Sequence, residues 1–291
     1  MGAERRWGDG ARRFVGRLLD AMLYVVLPPV SFFIIARFEV SAGVGAGLLF
    51  ALAVALIVGA LAWWMGARVL RLPPPRTGSL ISVSMQGNTG YLGLPLVATF
   101  IGTDQLGAAI AYDTLISSPL LYGVGFAIGA TMGTRAGIGA GARLRSYLRR
   151  NPVLPAIALA VVVPDALAPD VAVDAAELIA VALLPVGFFV LGVNLTHETE
   201  DGTLDFPPRL TAQLLTALAL RLVVAPALML AAGTLLLSVP DAYLLLAGMP
   251  AAINILIAAH AYGLDAKLMA DAIAWGTAIV VVVAIAAAAV P

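Results

Sequence analysis

The stretch GNTGYLGLP, at positions 87–95, places three glycines, a proline and an asparagine inside an otherwise apolar segment. A second stretch, GMPAAIN at 248–254, has the same unusual content about 160 residues later. Glycine and proline weaken or remove helical hydrogen bonds, and the freed backbone groups then need partners in protein, water or a ligand. The two stretches therefore predict a pair of broken membrane helices.

The composition around these stretches is that of a membrane protein. The chain is 61% hydrophobic and 12% charged, with a mean hydropathy of +0.99, far from the values of a soluble domain. It has no Cys, which excludes disulfides, thiolate metal sites and cysteine nucleophiles. Two His residues and a net charge of zero predict no metal, no cofactor and no nucleic-acid partner.

Apolar runs of bilayer length recur along the whole chain. A membrane helix needs about 20 mostly apolar residues. The predicted spans are 18–37, 43–66, 78–101, 105–130, 151–168, 171–195, 209–237, 241–261 and 267–290. The span 151–168 is the weakest, because Pro152, Pro155 and Pro164 interrupt it, so eight spans is the alternative count.

The basic residues fix a topology for these spans. With residues 1–17 as a basic cytoplasmic N-terminus, 15 of the 17 Arg and Lys residues fall in inner segments. Arg37 alone lies in an outer segment, and Arg221 lies within a span. The positive-inside rule then predicts a multi-pass protein of the cell (inner or plasma) membrane, with its C-terminus outside.

The chain also repeats itself. PVSFFII at 29–35 matches PVGFFVL at 185–191, and GLP at 93–95 matches GMP at 248–250. AIAYDT at 109–114 matches AIAWGT at 272–277, in the same order and at a similar offset. Matching spans cross in opposite directions, which is typical of inverted repeats. The sequence thus predicts an all-α polytopic membrane protein, with four spans at 18–130, a linker at 131–150 and five spans at 151–290.

These motifs resemble the auxin efflux carrier family, which includes plant PIN-type carriers and bacterial permease-like members. The resemblance is carried by NTGYLGLP at 88–95, MPAAIN at 249–254, YGLD at 262–265 and RLVVAP at 221–226. It implies ten helices in two inverted repeats of five, with the fourth and ninth broken and crossing near the membrane centre. It also implies a homodimer contact through the scaffold. The chain departs from the family by lacking its first helix, since the first predicted span resembles the family's second.

Both breaks reach the predicted membrane midplane. Asn88 lies about 15 Å from the inner end of its span, and Pro250 and Asn254 lie about 14 to 20 Å from the outer end of theirs. Half-helix N-termini favour anions, and amide side chains both donate and accept hydrogen bonds. The predicted substrate-binding residues are Gln86, Asn88, Thr89, Gly90, Gly93, Pro95, Pro250 and Asn254. The other interpretation is a pair of kinks whose backbone groups are satisfied by neighbouring helices.

Two charged residues lie at similar predicted depths within the membrane. Asp113 is about 12 Å from the outer end of its span, and Arg221 about 18 Å from the inner end. Charges at such depths usually pair or face a water-filled path. One hypothesis is therefore an Asp113–Arg221 ion pair that locks helices together. In the other, Arg221 attracts an organic anion and Asp113 carries a coupling proton.

The function predicted from these features is secondary transport of a small organic acid by alternating access. Spans 43–130 and 209–290 would move against a scaffold of 18–37, 151–168 and 171–195 in the lipid bilayer. Malate-like acids, malonate and indole-type acids all fit amides beside a positive helix end. The alternatives are an incomplete or non-transporting family member and, with less support, a membrane-embedded enzyme. The enzyme is disfavoured because the sequence has neither a His-Glu-x-x-His motif nor a paired-Asp motif.

Overall fold

The structure of the chain, a computed structural model, consists of helices joined by short connections. It describes residues 14, 17–18, 21–38, 41–135, 139, 141–142, 145, 148–149, 152–164, 167–200 and 209–289. The helices are α1 (Tyr24–Ala36), α2 (Ala42–Val69), α3 (Pro74–Met85), α4 (Thr89–Phe100), α5 (Thr103–Met132), α6 (Val153–Val162), α7 (Asp170–Glu200), α8 (Ala212–Leu235), α9 (Asp241–Ala247), α10 (Ile255–Tyr262) and α11 (Ala266–Ala288). Within these described ranges there is no strand, only one isolated β-bridge.

Helices occupy the positions of all the predicted spans, and the fold is that of a helical membrane protein. Four of them, α2, α5, α8 and α11, are long and apolar enough to cross a bilayer by themselves. The apolar helices α1, α4 and α6 are shorter. The predicted spans 78–101 and 241–261 are each two helices, α3 with α4 and α9 with α10. The count of nine spans and the inverted-repeat relation stay predictions.

Local sequence signals explain where several helices begin and end. Proline occupies the first turn of α3, where its missing N–H costs nothing. The Asp265 carboxylate caps α11 by accepting from the Leu268 N–H at 2.9 Å. Helix α6 ends at Val162, short of the predicted 168, because Val163 is already extended before Pro164.

The helices pack in two groups. Helix α1 lies against α6 and α7, and these three form the group that the sequence analysis predicts as the scaffold. The other group is built around α3, which packs on α2, on α8, on α11 and on the last turns of α5. The groups meet where α7 packs along α4 and where α1 packs against Leu106–Tyr112 of α5. A cavity lies between them.

The outer surface of the bundle is apolar, as contact with lipid requires. Val162 on α6 is 75% exposed, Leu178 on α7 is 72% exposed and Val282 on α11 is 65% exposed. The large side chains of Tyr243, Tyr262 and Phe126 are fully buried. The predicted N-terminal segment 1–17 lies almost wholly outside the described residues, and the linker 131–150 lies partly outside them.

Candidate functional site

The first predicted break is real and short. Helix α3 ends at Met85, Gln86 is extended, and α4 begins at Thr89. At Gly87 a Cβ atom would lie 2.5 Å from Nη2 of Arg221, so any other residue there would have to displace the guanidinium. Gly93 donates its N–H to the Asn88 carbonyl at 3.0 Å, which closes the first turn of α4.

The second break lies directly against the first. Helix α9 ends at Ala247 and α10 begins at Ile255. The Asn88 N–H donates to the Pro250 carbonyl at 2.7 Å, and the Ala252 N–H donates to the Gln86 carbonyl at 3.0 Å. The two unwound segments therefore form a short antiparallel bridge, which supplies each with main-chain partners that a membrane interior cannot.

Arg221 caps both of the helices that end at this bridge. Its Nε donates to the Met249 carbonyl at 2.7 Å, and its Nη2 donates to the Ala247 carbonyl at 2.9 Å. Longer bonds reach the Leu246 carbonyl at 3.3 Å and the Met85 carbonyl at 3.4 Å. The last carbonyls of a helix lack helical partners and carry its negative dipole end, so a buried guanidinium there satisfies both α3 and α9.

Asp113 has a different partner. Its Oδ1 accepts a hydrogen bond from Thr89 Oγ1 at 2.5 Å, at the first residue of α4. Within the described structure Asp113 and Arg221 form no ion pair. The predicted pair is wrong because the guanidinium is directed to carbonyls on one side of the first break, whereas the carboxylate lies at the start of α4 on the other side.

A cavity of about 190 Å³ opens beside the bridge, between the two groups of helices. Its wall combines polar groups from the breaks and α5 with apolar side chains from α1, α6 and α7. Of the predicted site residues the wall includes Gln86, Asn88, Thr89, Gly90, Pro95, Asp113 and Asn254. Among the described residues, Gly93, Pro250 and Arg221 are not part of this wall. Gly93 instead packs near Leu246, and Pro250 contributes its carbonyl to the bridge.

Gln86 has the most unusual environment of the predicted residues. Its side chain is 4% exposed, and neither amide atom has a hydrogen-bond partner within the described structure. It borders both this cavity and a smaller one that Arg221 and Tyr112 line. It also lies so close to Gly125 that a Cβ atom there would collide with the amide. A buried amide without a partner costs free energy, so its position favours a role in binding.

Several residues of the wall were not predicted from the sequence. Tyr91 lines the cavity, and its side chain is within hydrogen-bonding reach of Asn254. Ser117 lines it one helical turn after Asp113, a spacing that places both on one face of α5 and that could have identified it. Tyr122 and Ser31 also line the cavity, and no signal in the sequence singles them out.

Comparison with known proteins agrees with this architecture. A family model described as membrane transport protein matches residues 22–135 and 145–286. The chain belongs to this family, whose members are auxin efflux carrier-like proteins, and this confirms the resemblance seen in the sequence. The chain is thus a multi-pass membrane protein of a membrane transport family.

The chain is also similar to an uncharacterized transporter of Methanocaldococcus jannaschii. The two are 32% identical over 99 residues, which are 33% of this chain and 32% of the relative. The match therefore spans about a third of the length of that relative. Family and relative are both transporters, which points away from an enzyme.

Proposed function

We propose that the protein is a secondary transporter that moves a small organic acid across the cell membrane by alternating access. The substrate site is the cavity beside the bridge between the two breaks. The observation that carries this proposal is the meeting of two helix interruptions at a cavity that polar side chains of both breaks partly line, inside an otherwise apolar bundle. Interrupted helices that meet inside a membrane are the usual construction of a transporter site.

The chemistry of the cavity favours an acid. Helix α4 begins at Thr89 with its first N–H groups beside the cavity. Asn254, directly before α10, contributes its side chain to the wall, whereas the first N–H groups of α10 already donate to carbonyls of the second break. The first N–H groups of a helix lack helical acceptors and attract an anion. The amides of Asn88, Asn254 and Gln86 can donate to a carboxylate or accept from a hydroxyl group. The apolar wall suits the hydrocarbon part of the substrate.

The packing supports an inward-facing arrangement. The two groups of helices meet along α4 and the start of α5, the side that the charge pattern places outside. The cavity wall extends in the other direction, to Met22, Tyr122 and Val153. The chain has no Cys, so a Ser118→Cys variant carries a unique thiol in this wall. In oriented vesicles a membrane-impermeant maleimide should label it from the cytoplasmic side, and labelling only from the outside would contradict the arrangement.

The energy for transport comes from gradients. No nucleotide-binding motif is present in the sequence. Moving one charge across 100 mV releases about 2.3 kcal/mol, which corresponds to roughly 50-fold accumulation. An anion that crosses without a coupling ion can leave a negatively charged cell on this force alone. A homodimer built through α1, α6 and α7, as the family resemblance implies, is a further part of the proposal and is tested by mass measurement in detergent.

Thermal stabilisation of the purified protein tests the substrate class. Malate, malonate and indole-3-acetate serve as the panel, and a ligand at about 100 times its Kd adds roughly 2.7 kcal/mol to the free energy of unfolding. We expect one of these acids to raise the Tm of the wild-type protein. Asn88→Ala and Asn254→Ala should abolish the shift.

Asn88→Ala keeps the main-chain bonds of the bridge, so its loss of binding reports on the amide alone. The control is Gln213→Ala, which removes an amide from α8 outside the cavity wall and should leave the shift intact. A Tm shift that survives in both Asn variants would refute the proposed site. No Tm shift with any acid in folded wild-type protein would refute the proposed substrate class.

A further inference from the structure

We propose that Asp113 takes up one proton when an acid binds in the cavity, so that one proton crosses the membrane with each acid. This rests on the proposed function and adds the coupling ion to it. The proton comes from water on the side where the acid enters, forms an O–H bond with the Asp113 carboxylate, and returns to water on the side where the acid leaves.

Among the residues that the structure describes, Asp113 has no cationic partner in the cavity. The described residues that line the cavity include no Lys, Arg or His. Arg221, the buried cation on the other side of the first break, directs its N–H groups to four main-chain carbonyls. The hydroxyl of Thr89 is a neutral donor, so it cannot balance the charge of an ionised Asp113.

Asp113 lies at the place where an acid would bind. Its Oδ1 contacts the side chain of Thr89 at the first residue of α4, and a Cβ atom on Gly90 would be only 3.3 Å from the same oxygen. The carboxylate therefore already occupies the positive end of α4. An organic acid attracted to that end would place a second carboxylate beside the first.

Two carboxylates that share a small site cannot both stay ionised, and the pair holds one proton. Asp113 and both breaks lie in the wall of one cavity of about 190 Å³, so a carboxylate bound at the start of α4 lies beside Asp113. When Asp113 is protonated, its O–H can donate to the bound carboxylate while Thr89 keeps its own hydrogen bond to the other oxygen. Proton uptake therefore converts a repulsive neighbour into a hydrogen-bond donor.

The other titratable groups around the cavity do not replace Asp113 in this role. Tyr91 on α4 and Tyr122 on α5 are the remaining titratable side chains among the described residues of the wall. Both are phenols, which are neutral at physiological pH and have no proton to gain. The described parts of α1, α6, α7 and the second break contribute only apolar, hydroxyl, amide or main-chain groups to the wall. Arg221 and Tyr112 line the smaller cavity beyond the first break.

Binding affinity as a function of pH tests the proposal. Malate, malonate and indole-3-acetate are titrated into purified protein between about pH 6.5 and 8, where each ligand keeps a constant charge. Uptake of one proton makes the affinity of the wild-type protein fall by up to about tenfold for each unit of rising pH. Asp113→Asn cannot take up the proton and carries a permanent donor, so it should bind with an affinity independent of pH. Asp104→Asn, an exposed carboxylate on the first turn of the same helix, should behave like the wild-type protein.

Direct proton counting provides the second readout. In weakly buffered solution with a pH indicator, acid binding to wild-type protein should take up about one proton, and binding to Asp113→Asn should take up none. The wild-type count decides the matter even if Asp113→Asn does not fold. Binding without proton uptake, or folded Asp113→Asn protein that no longer binds, would overturn the proposal. A requirement for Na⁺ at constant pH would replace the proton with sodium.

These outcomes are separable from failure of the proposed function. Acid binding that is independent of pH would refute the proton coupling and leave the proposed organic-acid site unaffected. If neither wild-type nor Asp113→Asn protein binds any acid at any pH, both the organic-acid site and the proton coupling are refuted. Binding of organic amines that Asp113→Asn abolishes would show that the carboxylate receives a cationic substrate.

Discussion

Replacing Arg221 with Met should lower the stability of the protein, because four main-chain carbonyls lose the hydrogen bonds that the guanidinium donates. Met keeps the length and apolar volume of the side chain but donates no hydrogen bond. Hydrogen bonds to a charged group contribute about 1.5–3 kcal/mol each, so the two short bonds, at 2.7 and 2.9 Å, together give about 3–6 kcal/mol. The two longer bonds, at 3.3 and 3.4 Å, add less.

The net effect is smaller than this sum, because the variant is also relieved of a buried charge. Burying a guanidinium costs several kcal/mol, which its removal returns. The carbonyls of Met249 and Ala247 stay buried without partners, at about 1–3 kcal/mol each. We therefore expect Arg221→Met to lower the free energy of unfolding by about 3 kcal/mol. At roughly 2–4 °C for each kcal/mol, the Tm should fall by about 6–12 °C.

Thermal unfolding in one detergent, followed by intrinsic tryptophan fluorescence, measures this shift. Arg221→Lys should lie between wild type and Arg221→Met, because it keeps the charge but cannot span carbonyls from two helices. Arg68→Met, which removes an exposed arginine from the end of α2, should change stability by less than about 0.5 kcal/mol. An Arg221→Met protein with the Tm of the wild type would refute the view that this side chain joins the ends of α3 and α9.

Three other substitutions test the site and its supports. Gly87→Ala places a Cβ 2.5 Å from the guanidinium of Arg221 and should lower the free energy of unfolding by about 1–3 kcal/mol. The comparison is Gly45→Ala, where a Cβ has nothing within 4 Å; it should stabilise α2 by about 0.5–1 kcal/mol. The Tm measures both effects. Gln86→Met removes a buried amide without partners, so the Tm should hold or rise while the affinity for the acid falls at least tenfold in the binding assay. Asp265→Ala should lower the free energy of unfolding by about 1–2 kcal/mol, because Asp265 both caps α11 and pairs with Arg76 at 2.6 Å. Arg76→Ala removes only the ion pair, so it should lower the free energy of unfolding by less than about 1 kcal/mol.

Each of these has a contrary result. Equal Tm values for Gly87→Ala and Gly45→Ala would mean that the guanidinium is not held against the backbone. A Gln86→Met protein that binds the acid normally would leave the amide without a role in the site. An Arg76→Ala protein less stable than Asp265→Ala would show that the ion pair, not the helix cap, holds the start of α11.

The sequence predicted the breaks because glycine and proline act on the backbone of their own segment. The stretches GNTGYLGLP and GMPAAIN interrupt their helices whatever those helices pack against. Their similar positions in the two halves of the sequence predicted similar depths in the membrane. Depth along a span also follows from counting residues at a fixed rise. These features needed no knowledge of tertiary packing.

The partners of the two buried charges could not be predicted in that way. Counting gave Asp113 and Arg221 similar depths, but it does not say toward which neighbour each side chain points. The first break separates them, so Arg221 meets carbonyls freed by the breaks and Asp113 meets Thr89. Helix α6 was predicted too long for a related reason. Hydropathy extends through Val163 and Pro164, whereas the backbone there is already extended.

Main-chain atoms make both hydrogen bonds across the bridge between the two breaks, from Asn88 to Pro250 and from Ala252 to Gln86. Every residue except proline at 88 and 252 keeps those bonds, so side chains of the cavity lining can change while the junction stays intact. At the proposed site, single substitutions in the lining could therefore change which substrate binds while the protein stays folded. Because peptide groups join the two helix interruptions, the proposed substrate site can change during evolution while the backbone stays the same.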